Sequence, residues 1–198
     1  MIIDFLANIP GILLAVSVHE FGHGAVAYLL GDDTAKNEGR LTIDPIKHID
    51  PIGFLMLIIA HFGWAKPVPV NSNNLKNKRL GMFLISLAGP VFNIIMAIIT
   101  LHILNFEHFY IEMYAVHRIL VNIVGINIGF AVFNLLPIPP LDGSKILLSI
   151  LPNKLQYYYW KYENIGTIVL FFLVFTDKIG YILTPILNIV RNLIFTFI

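Results

Sequence analysis

Two histidines four residues apart with a glutamate beside the first, His19-Glu20-Phe21-Gly22-His23, are the residues of this chain best suited to chemistry. On a helix, positions i and i+4 share a face, so both imidazoles can reach one metal ion while the intervening carboxylate takes a proton from water beside it. That pattern serves zinc-assisted hydrolysis, with Glu20 as general base. A catalytic zinc has three protein ligands and keeps a fourth position open. Cysteine is absent, so the third ligand must offer nitrogen or oxygen. The best remaining candidate is Asp142, at the end of Asn134-Leu135-Leu136-Pro137-Ile138-Pro139-Pro140-Leu141-Asp142-Gly143. The competing reading makes Asp142 the N-cap of a short helix over 143–151.

The elements that position these residues belong in lipid. Of 198 residues, 57% are hydrophobic and only 13% charged, against about 25% charged in soluble domains. A net charge of +1 leaves no basic surface for nucleic acid. The first apolar run, Phe5 to Leu30, is about 39 Å long as a helix and spans a hydrocarbon core of about 30 Å. It begins without a basic stretch or cleavage signal and reads as mature sequence. It carries charge or imidazole only at His19, Glu20 and His23. A buried cluster of that kind costs several kcal/mol in lipid, which marks function more than packing. Gly22 and Gly24 would let another segment approach this helix closely.

Gly31-Asp32-Asp33 is a helix stop, and a polar stretch follows to Pro51. Ile52 to Phe62 is apolar but too short to span. Pro67 and Pro69 exclude helix in Gly63–Asn71 and point to an extended or hairpin element near the site. Leu80 to Phe106 and Ile119 to Leu136 are further spans, the latter ended by Pro137, Pro139 and Pro140. Leu141 to Leu151 is a short apolar piece. An interfacial aromatic segment covers Pro152 to Asn164. The remainder makes one or two more crossings, with a turn at Asp177-Lys178. The expected architecture is an all-α polytopic bundle of about five to six hydrophobic segments with a small extended or hairpin element. It forms a single domain over 1–198, with a core of 5–151 and C-terminal membrane helices over 152–198.

Span counting brings His23 and Asp142 to the same side of the membrane, so one metal site is geometrically allowed. That side also receives Lys36, Arg40, Lys47, Lys66, Lys76, Lys78, Arg79, Lys145, Lys154 and Lys161, whereas Arg118 and Lys178 fall opposite. The positive-inside rule makes the site side cytoplasmic. The other histidines, His48, His61, His102, His108 and His117, have no partner at metal spacing and are left out of the site. Among them, His48 reads as a surface or supporting residue and His61 as a lining of the cavity.

Three ordered motifs resemble the site-2 proteases: His19 to His23, Ala88-Gly89-Pro90-Val91-Phe92-Asn93, and Asn134 to Gly143. Leu41 to Pro51 and Gly63 to Asn71 are also similar to the compact bacterial branch, which lacks PDZ and CBS domains. The resemblance implies one catalytic Zn²⁺ held by His19, His23 and Asp142, with Glu20 as general base. It further implies a membrane-spanning protein or peptide as substrate, and a multi-pass enzyme of the cell membrane. Asn134 and Asn93 would position substrate or stabilise an oxyanion, and hydrogen bonding between helices is the other reading of Asn93. The extended edge at Val68 to Val70 could add substrate as a strand or be a simple connector. A membrane metal carrier or sensor using the same ligands is the alternative function. It would need a polar path across the bilayer, which the spans do not offer.

Overall fold

The computed structural model describes residues 2–60, 63–105 and 114–196. Its helices are α1 (Ile2–Leu29), α2 (Thr34–Asn37), α3 (Pro45–His48), α4 (Pro51–Ala60), α5 (Lys78–Leu104), α6 (Tyr114–Asn134), α7 (Asp142–Ile150), α8 (Asn153–Phe175) and α9 (Ile179–Thr196). No strand occurs among the described residues, and the fold is the all-α membrane bundle expected. His61 and His108 lie outside the described residues.

Three helical stretches are long and apolar enough to cross a membrane: Asn8–Leu29 of α1, Lys78–Leu104 and Ala115–Asn134 of α6. They pack against one another, and small residues allow their close approach. A Cβ built on Gly22 would lie 3.0 Å from the Ala88 carbonyl oxygen of α5, and one on Gly24 would lie 3.3 Å from a Val68 methyl group. Away from the polar layer, Ala97, Leu101 and Leu104 of α5 meet Val124, Ile128 and Val132 of α6 and Ile194 of α9.

The number of crossings is lower than the count of apolar segments suggests. Helix α4 has 10 residues, about 15 Å, half the thickness it would need. Helices α8 and α9 bend by 84° across the turn after Phe175 and make at most one crossing together, giving three or up to four. Asp177 in that turn takes φ 56°. The bend is held by packing: Leu170 and Val174 of α8 and Ile179 and Leu183 of α9 close over Leu136 and Leu141, beside the Asp142 loop.

Two glycines with positive φ shape the polar stretch. Helix α1 closes at Gly31 (φ 100°) with Asp32 N–H donating to Ala27 O at 2.9 Å and Gly31 N–H to Tyr28 O at 3.0 Å. Helix α2 closes likewise at Gly39 (φ 64°), with Arg40 N–H on Ala35 O at 2.8 Å and Gly39 N–H on Lys36 O at 3.0 Å. Both are Schellman endings, which need a left-handed residue and turn the next one back over the helix. The residues so placed are Asp32 and Arg40, both buried.

The proline-rich stretch is a non-helical strap. The anticipated hairpin is reduced to one bridge, Ile49 with Ala65, and one bond from Lys66 N–H to His48 O at 2.9 Å. Pro67 and Pro69 have no N–H to extend a ladder. The strap is instead held by side chains. Arg40 Nη2 donates to Lys66 O (2.8 Å) and Pro67 O (3.2 Å) at one end. At the other, Asp32 Oδ2 accepts from Asn71 N–H (2.7 Å) and Oδ1 from Asn74 Nδ2 (2.8 Å).

Candidate active site

Helix α1 carries His19, Glu20 and His23 on one side near its polar end, and all three are buried. Helix α5 lies against them at Gly89. A Cβ built there would sit 2.6 Å from His19 Cε1 and from His23 Nε2, so only glycine admits the two rings. The next residue, Pro90, has no N–H for the Ser86 carbonyl. One residue earlier, the Ile85 carbonyl accepts from His23 Nδ1 at 2.7 Å. Asp142 enters from the broken end of α6. It is the first residue of α7, whose N-cap is Leu141, and among the described residues its carboxylate accepts no backbone N–H. It faces the histidines instead.

Asp142 Oδ2 lies 2.9 Å from His19 Nε2 and 3.1 Å from His23 Nε2. The two Nε2 atoms are 3.1 Å apart. The tautomers follow from the partners on the other ring nitrogens. His23 Nδ1 meets a carbonyl, which only accepts, so it carries the proton. His19 Nδ1 lies 2.8 Å from Asn93 Oδ1. Asn93 Nδ2 is spent on Ala15 O (2.8 Å) and Asn127 Oδ1 (2.9 Å), so the atom facing His19 is an acceptor and His19 also carries its proton on Nδ1.

With both Nδ1 atoms protonated, two Nε2 atoms and a carboxylate oxygen converge, an arrangement that calls for a cation, a metal ion or a proton, in the middle. Ligand atoms on a tetrahedral zinc about 2.0–2.1 Å away are about 3.3 Å from one another, close to the spacings here. His19, His23 and Asp142 are thus a buried set able to hold one metal ion, and a nitrogen and oxygen set of this kind suits zinc.

Glu20 does not join the triad. Its Oε2 accepts from Val68 N–H in the strap at 2.7 Å. The sequence-level reading of Asn93 as a substrate contact meets a fully buried side chain whose amide is taken up by His19, Ala15 and Asn127. Asn134 closes α6 with Nδ2 on Phe130 O at 3.0 Å, one turn beyond the Phe130 ring that packs edge-on against His19. His48 is fully buried, its Nε2 donating to Thr42 O at 2.7 Å, and so is no surface residue.

Four residues near the site escaped the sequence reading. Lys145 Nζ lies 3.3 Å from Asp142 Oδ1, the oxygen turned away from the histidines, and so helps hold the carboxylate in place. Its i+3 spacing on a helix start was the available signal. Asp32 and Arg40 were legible only as loop charges, although the glycines before them marked helix ends. Asn127 had no motif around it.

A model of Peptidase family M50 matches residues 110–176, the stretch that includes Asp142. The chain is 41% identical over 187 residues to a Bacillus subtilis (strain 168) protein named "Putative zinc metalloprotease YwhC", covering 91% of this chain and 85% of that one. It is 33% identical over 146 residues, 70% of this chain, to "Putative zinc metalloprotease Rip2" of Mycolicibacterium smegmatis, of which it spans 55%. To the protein of the same name in Mycobacterium tuberculosis (strain H37Rv) it is 35% identical over 151 residues, spanning 56%. No solved structure matches this chain.

Proposed function

We propose, because this chain belongs to peptidase family M50, the site-2 proteases, that His19, His23 and Asp142 hold its zinc ion and that Glu20 is its general base. The chain is an integral membrane zinc metalloprotease. The observation that carries the assignment is the convergence of two histidine lone pairs and one carboxylate oxygen at 2.9–3.1 Å on the glutamate-bearing helix.

When bound, zinc polarises the scissile carbonyl and acidifies the attacking water. The protein residues supply the rest. Glu20 takes the proton from water on the oxygen that Val68 does not hold and returns it to the departing amine nitrogen. Val68 N–H fixes the carboxylate on its other oxygen. Lys145 and the paired Nδ1 protons keep the three ligands aimed. Asn134, at the mouth of the broken helix, positions substrate.

The substrate is a membrane-spanning protein or peptide. A helix hides its carbonyls, so the cleaved segment must unwind, and the strap at Val68–Val70 is placed to accept it as an added strand. The basic residues clustered on the site side support a plasma-membrane protein whose site opens to the cytoplasm.

Glu20→Gln tests the mechanism. It should retain stoichiometric zinc while cleavage of a reconstituted transmembrane peptide falls by about 10²–10⁴-fold. Unchanged cleavage sinks the general-base role. Asp142→Ala should lose zinc, and full occupancy afterwards places the third ligand elsewhere. For the strap, Val70→Pro deletes one main-chain donor. Strand addition predicts a higher KM, whereas unaltered kinetics leave it a connector.

A further inference from the structure

Asn127 sits in the middle of α6, fully buried, four residues or more from any motif and in contact with none of the three metal-binding side chains among the bonds described. Its amide nitrogen donates to Ile123 O, one turn back on α6, at 2.9 Å. A backbone carbonyl only accepts, so this contact fixes which way the Asn127 amide points. Asn127 Oδ1 is thereby presented to α5, where it accepts from Asn93 Nδ2 at 2.9 Å. Asn93, also fully buried, has its second amide hydrogen on Ala15 O of α1 at 2.8 Å. Its Oδ1 then has one direction left, toward His19 Nδ1 at 2.8 Å.

We infer that Asn127 is a positioning residue for zinc binding, the origin of a one-way hydrogen-bond relay from Ile123 O through Asn127 and Asn93 that holds the proton of His19 on Nδ1 and leaves Nε2 bare for the metal. This rests on the assignment of His19, His23 and Asp142 as ligands. The relay runs through three helices and has no step that works in reverse. Turning the Asn93 amide over would set its one oxygen against Ala15 O and Asn127 Oδ1 and its NH₂ against the His19 Nδ1–H. Without Asn127, one buried Asn93 hydrogen loses its acceptor, and that amide is free to rotate toward other partners. His19 then samples the tautomer whose Nε2–H points at the metal position. His23 is fixed separately by Ile85 O, so the relay acts on one ligand only.

The experiment measures zinc affinity by chelator competition on the full chain in detergent, together with the ¹H–¹⁵N imidazole spectrum of the zinc-loaded protein, in which the Asp142 carboxylate no longer competes for the His19 proton. Asn93→Leu should weaken zinc about 10–100-fold and Asn127→Leu about 10-fold, in the range found when partners of metal-bound histidines are removed. The double variant should be no weaker than Asn93→Leu alone. Asn127→Asp, which as the neutral acid can accept from Asn93 and donate to Ile123 O, should recover most of the loss. In the spectrum, the His19 Nδ1–H should be protected from solvent exchange in the wild type and exchange faster in Asn127→Leu. A merely structural asparagine would lower thermal stability but leave the His19 Nδ1–H protection unmoved and give additive losses. Native zinc affinity with unchanged His19 Nδ1–H protection in a folded Asn127→Leu overturns the inference, as does equal loss in Asn127→Asp. If Asn127→Leu does not fold, Asn127→Asp and the wild-type spectrum decide it: a wild-type His19 Nδ1–H that exchanges as freely as an exposed imidazole refutes the relay. His23→Ala is the control for the ligand assignment. Unchanged zinc affinity there means that reading has failed, whatever Asn127 does.

Discussion

Gly89 shows how far a single residue can be constrained by what it lacks. In a helix interior, Gly→Ala ordinarily stabilises by about 1 kcal/mol, because alanine surrenders less backbone entropy. Here the added methyl would meet His19 Cε1 and His23 Nε2 at 2.6 Å, and overpacking of this kind costs about 1–3 kcal/mol. The penalty falls on the two imidazoles, which must swing off the metal position. Gly89→Ala should therefore fold and keep its thermal stability without zinc, while binding zinc at least tenfold more weakly, as equilibrium dialysis against a chelator would read. Equal zinc affinity would mean that the rings have room to spare. The sequence made His19, Glu20 and His23 legible through spacing, and Asp142 through its place after the proline-broken span, which counting crossings allowed. Spacing could not show that Asn93 spends its amide on His19, because an amide's partners depend on which helices meet. Gly89 was visible only as part of a motif, with no reason attached.

Among the elements, the strap is the least regular and the most deliberately held. Pro67 and Pro69 deny it a ladder, so its course over Glu20 depends on Arg40 at one end and Asp32 at the other. The prolines predicted a non-helical element correctly, but the clamp was not readable, since nothing in a loop charge says where it will be turned. The Schellman glycines do the turning. Asp32 gives this clamp a pH signature. Burial alone would raise its carboxyl pKa. Hydrogen bonds from the Thr34 hydroxyl, the Asn74 amide and the backbone N–H groups of Asn71 and Thr34 outweigh that, holding it below the usual carboxylate range. A lowered folded pKa contributes stability above the unfolded value of about 3.9 and loses it as pH falls through the folded value. Asp32→Asn should melt earlier than the wild type at pH 7, and the gap should close as pH drops below about 4. A gap that stays constant with pH would show that the carboxylate charge is not what holds the strap.

At the scale of the whole molecule, the course of the C-terminal third decides how many times the chain crosses. Apolar run lengths suggested more segments than the structure uses as spans, because length cannot reveal an 84° bend. The packing indicates one crossing for α8 and α9 together. Helix α8 begins on the polar-loop side, where Arg79 Nη2 at the start of α5 donates to Leu151 O and Asn153 Oδ1. It meets α9 beside Leu136 and Leu141, at the level of the Asp142 loop. Helix α9 then runs away from the site, and its Ile194 reaches Leu101 and Leu104 at the far end of α5. Residues near its end should therefore emerge on the face opposite the polar loops. A chain without cysteine lets this be mapped one thiol at a time. Glu38→Cys and Asn192→Cys replace exposed residues, one in the polar loops and one near the end of α9. In sealed, oriented vesicles a membrane-impermeant maleimide should label one of them from outside and the other only after permeabilisation. Labelling of both from the same face would mean that α8 and α9 form a re-entrant pair with no net crossing, and would return Asn192 to the side of the zinc site.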